Sequence, residues 1–508
     1  MRLSSRNVAA LGIFATALVL APSAGSGALA QGQRPQPDYS YTREAARAAQ
    51  LDLDNIDPAE LRRVFAARRE RVMAGIPAGA MLIFSVEQAQ LRRLEFQVPH
   101  SENHDFIFLT GIEGLDSFDS ALLLLPTPEK DWVVLYTSAD VSDIRKATGI
   151  DDVRPFARLE EDFSVALTDY RDWRITQVRR WPMPAALAKA WGRNQKVLYL
   201  NYPRFLRLGM PEPSRLEFFE KLKRFSPKIT IRDSADILDP IRMLHDAYSL
   251  ASLRRAAQIT MEGTIEGLTA ARAGMSESEM MEIIDFVYRY RGAYLGFPTD
   301  VTRMGAAGPS ERRAIPEGFI QFVPRATKAV FAPGDVVHVD TGAAFNHHSA
   351  DVQRVVPVGG KFTSEQRKLY EVALNVQKTV ISRIKPGVTW WELHNLAVQM
   401  LRDAGGYDRY YTYGIGHFLG MEVHDEGDYE QPLKPGMALT IEQGVAPPNG
   451  PRMALEDDVI VTEDGHDWIT RDLPIEIADV EAMMARPSSL EGFVKKTRQG
   501  AVPAVPKR

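Results

Sequence analysis

Two stretches in the second half of the chain alternate short apolar runs with turn-forming residues, which is the pattern of β-hairpins. The first stretch has β-rich runs at Val336–Thr341 and Ser349–Val356, separated by small and turn-forming residues in what we expect to be a long loop. Folding this stretch about the centre of positions 345/346 places Asp340 opposite Asp351. Cross-strand side chains have Cβ atoms about 4.5–5.5 Å apart, so two carboxylates placed there repel unless they share a proton or a cation.

The second stretch, Ala438–Val461, repeats this arrangement. Its Asn449-Gly450 pair is a strong hairpin-turn signal between two apolar runs. Folding about the asparagine places Glu442 opposite Glu456. The sequence therefore predicts two hairpins, each with a pair of carboxylates on one face.

A glycine-rich segment between the two hairpins, Gly414–Gly427, contains His417 and His424. Four carboxylates and an imidazole are suitable ligands for two divalent cations. The alternative is that the acidic side chains are ordinary solvated residues of exposed hairpins. We favour the metal site, because two mirror-symmetric carboxylate pairs, each inside an apolar run, would rarely arise by chance.

The N-terminal half alternates helical and strand patterns, which predicts an α/β domain over residues 58–240. Apolar positions at three- to four-residue spacing predict a helix at Pro58–Gly75. Further helices are expected at Phe163–Tyr170 and Arg215–Arg224. Strands are predicted at Ala80–Ser85, Phe106–Leu109, Ala121–Leu125, Trp132–Tyr136, Val197–Leu200 and Ile229–Ile231.

A second domain is predicted over residues 241–480. Two of its helices are expected to begin with matching capping boxes, one formed by Ser276 and Glu279 and the other by Thr389 and Glu392. Each predicted helix is followed by a β-rich region, which suggests two related halves. Ordinary helix capping explains the same observation equally well.

The two ends of the chain have the composition of segments outside the fold. Residues 1–30 combine Arg2 and Arg6, the apolar run Val8–Ala21 and small residues up to Ala30, which is typical of a cleaved secretory signal peptide. An uncleaved membrane anchor is the alternative. Residues 31–57 are predicted to be a disordered spacer and residues 481–508 a loose basic tail. We therefore expect an exported protein, periplasmic or extracellular, that does not remain in the membrane after signal cleavage.

Composition excludes several classes of function. The 508 residues contain no cysteine, which excludes disulfides, thiol catalysis and cysteine-ligated zinc. A net charge of −5 gives no reason to expect binding to nucleic acid or to an anionic membrane.

In the order of its acidic residues and histidines along the sequence, the chain resembles the pita-bread metallopeptidases, which include methionine aminopeptidase, aminopeptidase P and prolidase. The resemblance covers about residues 61–477 and is closest to the aminopeptidase P/prolidase branch. It implies an α/β (α+β) protein, with an N-terminal creatinase/prolidase-like α/β domain followed by a C-terminal pita-bread domain in which helices back a curved antiparallel sheet. It is carried by the order Asp340, Asp351, His417, Glu442 and Glu456, with the segment GHFLGMEVHD in the middle.

The same resemblance implies roles for these residues. Asp351 and Glu456 would bridge two divalent ions, with Asp340 on one ion and His417 and Glu442 on the other. Manganese is the expected metal, and cobalt, zinc and iron are compatible with the ligands. The implied activity is hydrolysis of a peptide substrate near its N-terminus by a homodimer or larger homo-oligomer.

Four further histidines are assigned by their positions. His424 matches the family residue that hydrogen-bonds the substrate carbonyl and the tetrahedral intermediate. His338 shares the sheet face of Asp340 and is expected to be a neighbour of the metal ligands or a core residue rather than a third ligand. His347 and His348 lie in the predicted loop and are expected to be exposed or at the mouth of the site.

The substrate-facing residues depart from the family pattern. Arg354 matches the family DxTR pattern, here DVQR, and is expected to form a salt bridge to the metal carboxylates. Tyr413 stands where the branch has a histidine, and another family histidine is missing near residue 323. Because tyrosine carries no charge at neutral pH, we expect the preference for Xaa-Pro bonds to be relaxed. Two alternatives remain, a non-catalytic binding protein on the same fold and a creatinase-like C–N hydrolase that works without metal.

Overall fold

The computed structural model describes residues 37–85, 103–167, 182–191, 196–202, 214–305, 308–309, 329–411, 413–447 and 450–489. The signal peptide predicted over residues 1–30, the histidine-free run near residue 323, the turn residue Asn449 and most of the predicted basic tail lie outside these ranges. Among the helices that the structure describes, none combines the length and apolar character needed to cross a membrane.

The first half of the chain forms a six-stranded sheet in the order β4-β3-β2-β1-β5-β6. The pairs β1/β2 and β2/β3 are antiparallel, whereas β3/β4, β1/β5 and β5/β6 are parallel. Met81 and Ile83 belong to the core on one face and Leu82 and Phe84 to the core on the other, so apolar side chains cover both faces. The strands are β1 (Ala80–Phe84), β2 (Ala121–Leu125), β3 (Trp132–Thr137), β4 (Asp152–Pro155), β5 (Lys196–Leu200) and β6 (Ile229–Asp233).

The first half of the chain also contains helices. They are α1 (Tyr41–Ala48), α2 (Pro58–Gly75), α3 (His104–Thr110), α4 (Val141–Thr148), α5 (Arg158–Leu167), α6 (Pro182–Trp191), α7 (Ser214–Phe225) and α8 (Ala235–Arg242). The predicted helix Pro58–Gly75 is confirmed to the residue. Its N-terminus is defined by Asp57, whose side chain accepts a hydrogen bond from the Ala59 amide, and by proline at the first helical position.

Two expectations for this half are wrong. The run Phe106–Leu109, predicted as a strand, belongs to helix α3, where Asn103 caps the N-terminus by accepting a hydrogen bond from the Phe106 amide. All seven residues of α3 are buried, so the run has no polar face from which the helical period could be read. The predicted disordered spacer contains helix α1, because Tyr41 and Ala48 pack into a small apolar cluster with Leu250 and Leu253.

The second half forms a larger sheet with the path β14-β15-β13-β10-β8-β9, to which β16 adds beside β15. All its pairs are antiparallel. A three-stranded sheet, β12-β11-β7, lies apart from it. The strands are β7 (Tyr294–Leu295), β8 (Asp300–Gly305), β9 (Gly308–Pro309), β10 (Val336–Thr341), β11 (Ala343–Phe345), β12 (His348–Ser349), β13 (Val352–Pro357), β14 (Ala438–Val445), β15 (Met453–Val461) and β16 (His466–Trp468).

Helices pack against these strands, with α9 on β11 and β12, α10 on β8, and α11 on β14 and β15. Both predicted capping boxes are present, at the N-termini of α10 and α12. Met483 at the end of α13 is buried, so the predicted tail boundary at 480/481 cuts through an ordered helix. The helices are α9 (Ala247–Ala270), α10 (Glu277–Tyr290), α11 (Ser364–Ile381), α12 (Trp390–Asp403) and α13 (Ile477–Met484).

Candidate metal centre

A single row of polar side chains crosses the larger sheet. Each member is the register partner of the next across five neighbouring strands, from β8 to β14. Register partners in an antiparallel sheet point to the same face, so these side chains share one surface. The row consists of Asp300, Asp340, Gln353, Glu456 and Glu442.

The predicted pairing of the second hairpin is confirmed, because Glu442 lies opposite Glu456. The predicted pairing of the first hairpin is wrong, because Asp340 lies opposite Gln353 rather than Asp351. The error is a shift of two residues. Side chains alternate between faces with a period of two, so Asp351, just before β13, remains on the same side of the sheet as Asp340.

The shift arises at the tip of the hairpin. Phe345 pairs with His348, which leaves Asn346 and His347 as a two-residue turn instead of the long loop expected. Both turn residues have positive φ, 49° and 60°, as a type I′ turn requires. The expectation that His348 is exposed is wrong, because it is a strand residue 1% exposed. His347 is partly buried and pairs with Glu113 of the N-terminal half.

A compact group of ligand atoms includes Glu456 of this row. One atom each from Asp351, His417 and Glu456 can be chosen so that all lie within 4.8 Å of one another. His417 Nε2 is 3.6 Å from Asp351 Oδ2 and 3.8 Å from Glu456 Oε1. Two buried carboxylate oxygens, Asp351 Oδ1 and Glu456 Oε1, have no hydrogen-bond partner in the described part of the chain. Buried acceptors without donors are rare in native proteins, so a cation is the partner that fits them.

Electrostatics supports the same conclusion. Burial and the neighbouring carboxylates, with Glu456 first among them, raise the pKa of Asp351 well above its usual value. Burial and the Glu442 charge do the same for the pKa of Glu456. Burial raises the pKa of Glu442 to about 7, although Arg452 opposes the shift. Carboxylates crowded in this way are stable in their charged form when cations lie between them.

The loop that carries His417 is held along strand β14. The His417 amide donates to Thr440 Oγ1 at 3.2 Å, and the Thr440 amide donates to the His417 carbonyl at 2.9 Å. Gly416 allows this approach, since its φ is 149° and a Cβ there would lie 2.0 Å from the Thr440 carbonyl oxygen.

The His417 ring is oriented as a metal ligand requires. Its Nδ1 donates to the Phe418 carbonyl at 3.2 Å, which leaves the lone pair of Nε2 directed at the two carboxylates. Burial, together with the nearby His424, lowers the pKa of His417 to about 3, so the ring is neutral at physiological pH.

His424 lies at the open side of this group. Its ring centroid is 4.0 Å from that of His417, and the residue is exposed. Partial burial lowers its pKa. The next residue, Asp425, accepts hydrogen bonds from the Met421 and Glu426 amides and pairs with the buried Arg242 at the end of α8. This anchor joins the loop that bears His424 to the N-terminal half of the chain.

The other predicted site residues have mixed outcomes. His338 is buried and donates through Nε2 to Gln353 Oε1 at 3.1 Å, so it contacts a neighbour of the ligand carboxylates. The expected salt bridge from Arg354 to the metal carboxylates is wrong. Arg354 points to the opposite face, where it pairs with Asp457 at 2.7 Å and donates to the backbone carbonyl of Glu456. Tyr413 lies near the site, 3.4 Å from Arg452 Nη2.

Sequence reasoning missed several residues of the site. Gln353 donates to Glu456 Oε2 at 2.6 Å and to Glu442 Oε2 at 3.4 Å. Asp458 accepts the Asp351 amide at 3.1 Å. The period-two pattern could have indicated both, because each lies two residues from a ligand on the same face. Asp300 faces Asp340 from β8, a strand that had not been predicted.

Part of the chain matches a known protein family. Residues 251–463 match metallopeptidase family M24. This range contains the whole carboxylate row and both histidines of the loop. A segment of the chain therefore matches the M24 metallopeptidases, as the order of its candidate ligands predicts.

Within the family, the chain is similar to aminopeptidase P. It is 26% identical over 467 residues to the Xaa-Pro aminopeptidase of Haemophilus influenzae, covering 83% of this chain and 96% of that protein. It is 28% identical over 289 residues to rat Xaa-Pro aminopeptidase 3, but this match spans only 51% of the chain and 55% of the relative.

Solved structures agree on the fold. Aminopeptidase PepP of Pseudomonas aeruginosa superposes with a TM-score of 0.66 at 22% identity, over 85% of this chain and 98% of that one. Aminopeptidase P of Escherichia coli, solved with the inhibitor Pro-Leu, gives 0.64 at 22% identity, over 83% and 98%. The predicted fold class, an N-terminal α/β domain followed by a pita-bread domain, is confirmed.

Proposed function

We propose that the chain is a dinuclear metal-dependent peptidase that hydrolyses peptide bonds near the N-terminus of its substrates. The observation that carries this proposal is the group Asp351, His417 and Glu456, with two unsatisfied buried carboxylate oxygens. The names of the similar proteins, which are Xaa-Pro aminopeptidases, support the substrate class.

Four carboxylates and the loop histidine His417 would hold the ions. Asp351 and Glu456 lie at the centre of this ligand group, Glu442 lies opposite Glu456, and Asp340 is on the strand that pairs with β13. Two divalent ions held there would supply a nucleophile from water at neutral pH and polarise the scissile carbonyl. We propose manganese, and a relative solved as a zinc-substituted form indicates that such sites accept other divalent ions.

The protein's own groups would complete the reaction. His424 is exposed beside the ligand histidine and can donate a hydrogen bond to the scissile carbonyl oxygen as negative charge develops on it. The amide of Gln353 holds Glu456 and Glu442 in place, and His338 and Arg452 in turn bond the Gln353 carbonyl oxygen. Both carboxylates are therefore oriented before the substrate binds.

Metal analysis combined with a peptide panel tests the proposal. After metal loading we expect about two divalent ions per chain and hydrolysis of peptides with a free N-terminus. Asp351→Ala should lose both ions, since it removes the residue at the centre of the ligand group. Asp472→Asn is the matched control, because Asp472 is 84% exposed on the surface. Unchanged metal content in Asp351→Ala would contradict the assignment.

The same panel separates the alternatives. A creatinase-like hydrolase would retain activity after chelation, and the retention of four clustered carboxylates argues against it. A binding protein would take up metal but cleave none of the peptides. Export to the periplasm or extracellular space, a homodimer or larger assembly and a relaxed preference for proline are further parts of the proposal, supported by the N-terminal sequence, the family resemblance and Tyr413, respectively.

A further inference from the structure

The loop that carries both histidines changes its partner halfway along. Before Gly420 it is bonded to strand β14, through the backbone of His417 and through the Leu419 amide, which donates to the Ala438 carbonyl at 3.0 Å. After Gly420 its side chains contact the N-terminal half of the chain. The ligand histidine and His424 are therefore held by different parts of the molecule.

Two neighbouring side chains of the loop make the first of these contacts. Met421 is 6% exposed and belongs to the apolar core on one face of the first sheet. Glu422 Oε1 accepts a hydrogen bond from His104 Nδ1 at 3.0 Å. The His104 side chain, at the start of α3, is 4% exposed. The segment just before His424 is thus fixed by an apolar contact and by a buried donor.

The contact that follows His424 is an arginine between two carboxylates. Arg242, whose side chain is 2% exposed, pairs with Asp105 at 2.8 Å and also with Asp425. Burial alone would lower the pKa of Arg242, but the charges of Asp425, Asp105 and Glu422 raise it overall, so the guanidinium stays charged. Moving Asp425 away would leave this buried charge without full compensation, which is costly, so Asp425 has a fixed position.

The His424 ring depends on these contacts for its position. In the described part of the chain no hydrogen bond reaches the ring, which contacts that of His417. The backbone therefore places it, between Glu422 two residues before and Asp425 directly after. A donor to a reacting carbonyl must be placed accurately, since a shift of about 1 Å can cost about 10²-fold in rate.

We propose that the N-terminal half of the chain positions His424 through two residues, His104 and Arg242. Both act through the neighbours of His424 in the loop and neither touches the substrate. This inference rests on the proposed function, and it assigns one step of it, donation to the scissile carbonyl, to the contact between the two halves. Because strand β14 holds His417, metal binding does not depend on either residue.

A double-mutant cycle on metal-loaded protein tests the proposal. His104→Ala should lower kcat by about 10- to 100-fold for the peptide that the wild type cleaves fastest, the cost of misplacing one catalytic group, with metal content unchanged. In a His424→Ala background the same change should have little further effect, because the residue that it positions is already absent. His104→Asn, which keeps a donor near the place of Nδ1, should restore most of kcat. Arg242→Lys should lower kcat as His104→Ala does, since an ammonium group cannot bridge two carboxylates as the planar guanidinium does.

Glu113→Ala is the matched control. Glu113 pairs with His347, so the change removes a carboxylate from a second histidine–carboxylate pair between the two halves, outside the loop of His424. It should retain wild-type kcat. The proposal is overturned if His104→Ala retains wild-type kcat, or if it lowers kcat by the same factor with and without His424. An equal loss in Glu113→Ala would also overturn it.

Further measurements keep the test independent of folding and of the proposed function. If His104→Ala does not fold, Glu422→Ala removes the same contact from its more exposed side, 25% against 4%, and takes its place in the cycle. If the wild type cleaves no peptide, the proposed function fails, and hydrogen–deuterium exchange then decides the positioning. The Met421 and Glu426 amides, which donate to Asp425, should exchange about 10-fold faster in Arg242→Lys, the effect of losing one hydrogen bond to a charged group. Unchanged exchange would overturn the proposal.

Discussion

Replacing Arg354 with methionine should destabilise the second domain from the sheet face opposite the candidate metal site. Arg354 and its partner Asp457 have side chains 1% and 0% exposed. The guanidinium forms two contacts with that carboxylate and also donates to four backbone carbonyls, those of Gln353, Glu456, Leu473 and Pro474. One side chain thus joins strands β13 and β15 and the segment that follows β16.

The expected loss follows from the burial of the pair. Removing one partner of a buried ion pair leaves the other charge without compensation and costs about 3–5 kcal/mol. For a domain of this size, 1 kcal/mol corresponds to roughly 2–4 °C in melting temperature, so Arg354→Met should lower Tm by about 6–20 °C. Arg354→Met/Asp457→Asn should recover part of that loss, because the neutral amide leaves no buried charge and can still bond Thr470 and Gln377.

Calorimetric melting of the metal-free and metal-loaded proteins provides the measurement. Arg471→Met serves as the control for loss of an arginine from the surface. The reasoning is refuted if Arg354→Met lowers Tm by less than about 2 °C, a shift equivalent to 1 kcal/mol or less. It is equally refuted if the double variant melts below Arg354→Met, since the unpaired Asp457 charge would then not be the cause.

Three further predictions concern function and processing. His424→Ala should lower kcat by roughly 10²–10³-fold with metal content intact, the loss expected for one donor to a developing oxyanion, and wild-type turnover would contradict this role. A comparison of Xaa-Pro-Yaa with Xaa-Ala-Yaa should show a proline preference below about a hundredfold in kcat/KM, and a larger ratio, equivalent to nearly 3 kcal/mol, would show that Tyr413 does not relax specificity. N-terminal sequencing of protein from native cells should begin near Gln31, and an intact Met1 would exclude cleavage of the signal peptide.

Local sequence signals were sufficient to predict elements that are defined by residues close together in the sequence. Centring the second hairpin on the Asn449-Gly450 pair of the sequence gives a register with Glu442 opposite Glu456, and the structure has this register. Helix α2 was equally predictable, because Asp57 and Pro58 define its start. In these elements the residues that fix the local conformation are neighbours in sequence, so no tertiary information was needed.

Contacts between segments distant in the sequence could not be predicted from local sequence signals. Helix α3 is buried on all sides, so it has no amphipathic period, and its apolar run matches a buried strand equally well. The partner of Arg354 was misassigned because Arg354 and Gln353 are adjacent in β13 and point to opposite faces. Only the pairing of β13 with β15 shows that Gln353 faces the metal carboxylates while Arg354 faces Asp457.

The first hairpin shows how a wrong register still placed both carboxylates on the correct face of the sheet. The predicted centre lay one residue too early, because small residues marked the turn, whereas the structure uses Asn346 and His347 in left-handed conformations. Moving the centre by one residue moves each cross-strand partner by two, and a shift of two returns every side chain to the same face. The carboxylates of Asp340 and Asp351 were therefore assigned to the right surface. The position opposite Asp340 in the row was assigned to the wrong residue. It is occupied by Gln353, whose amide connects Arg452 to the candidate metal carboxylates. Gln353, one of the residues by which this chain differs from the family pattern, thus lies at the position that the symmetric pairing could not identify.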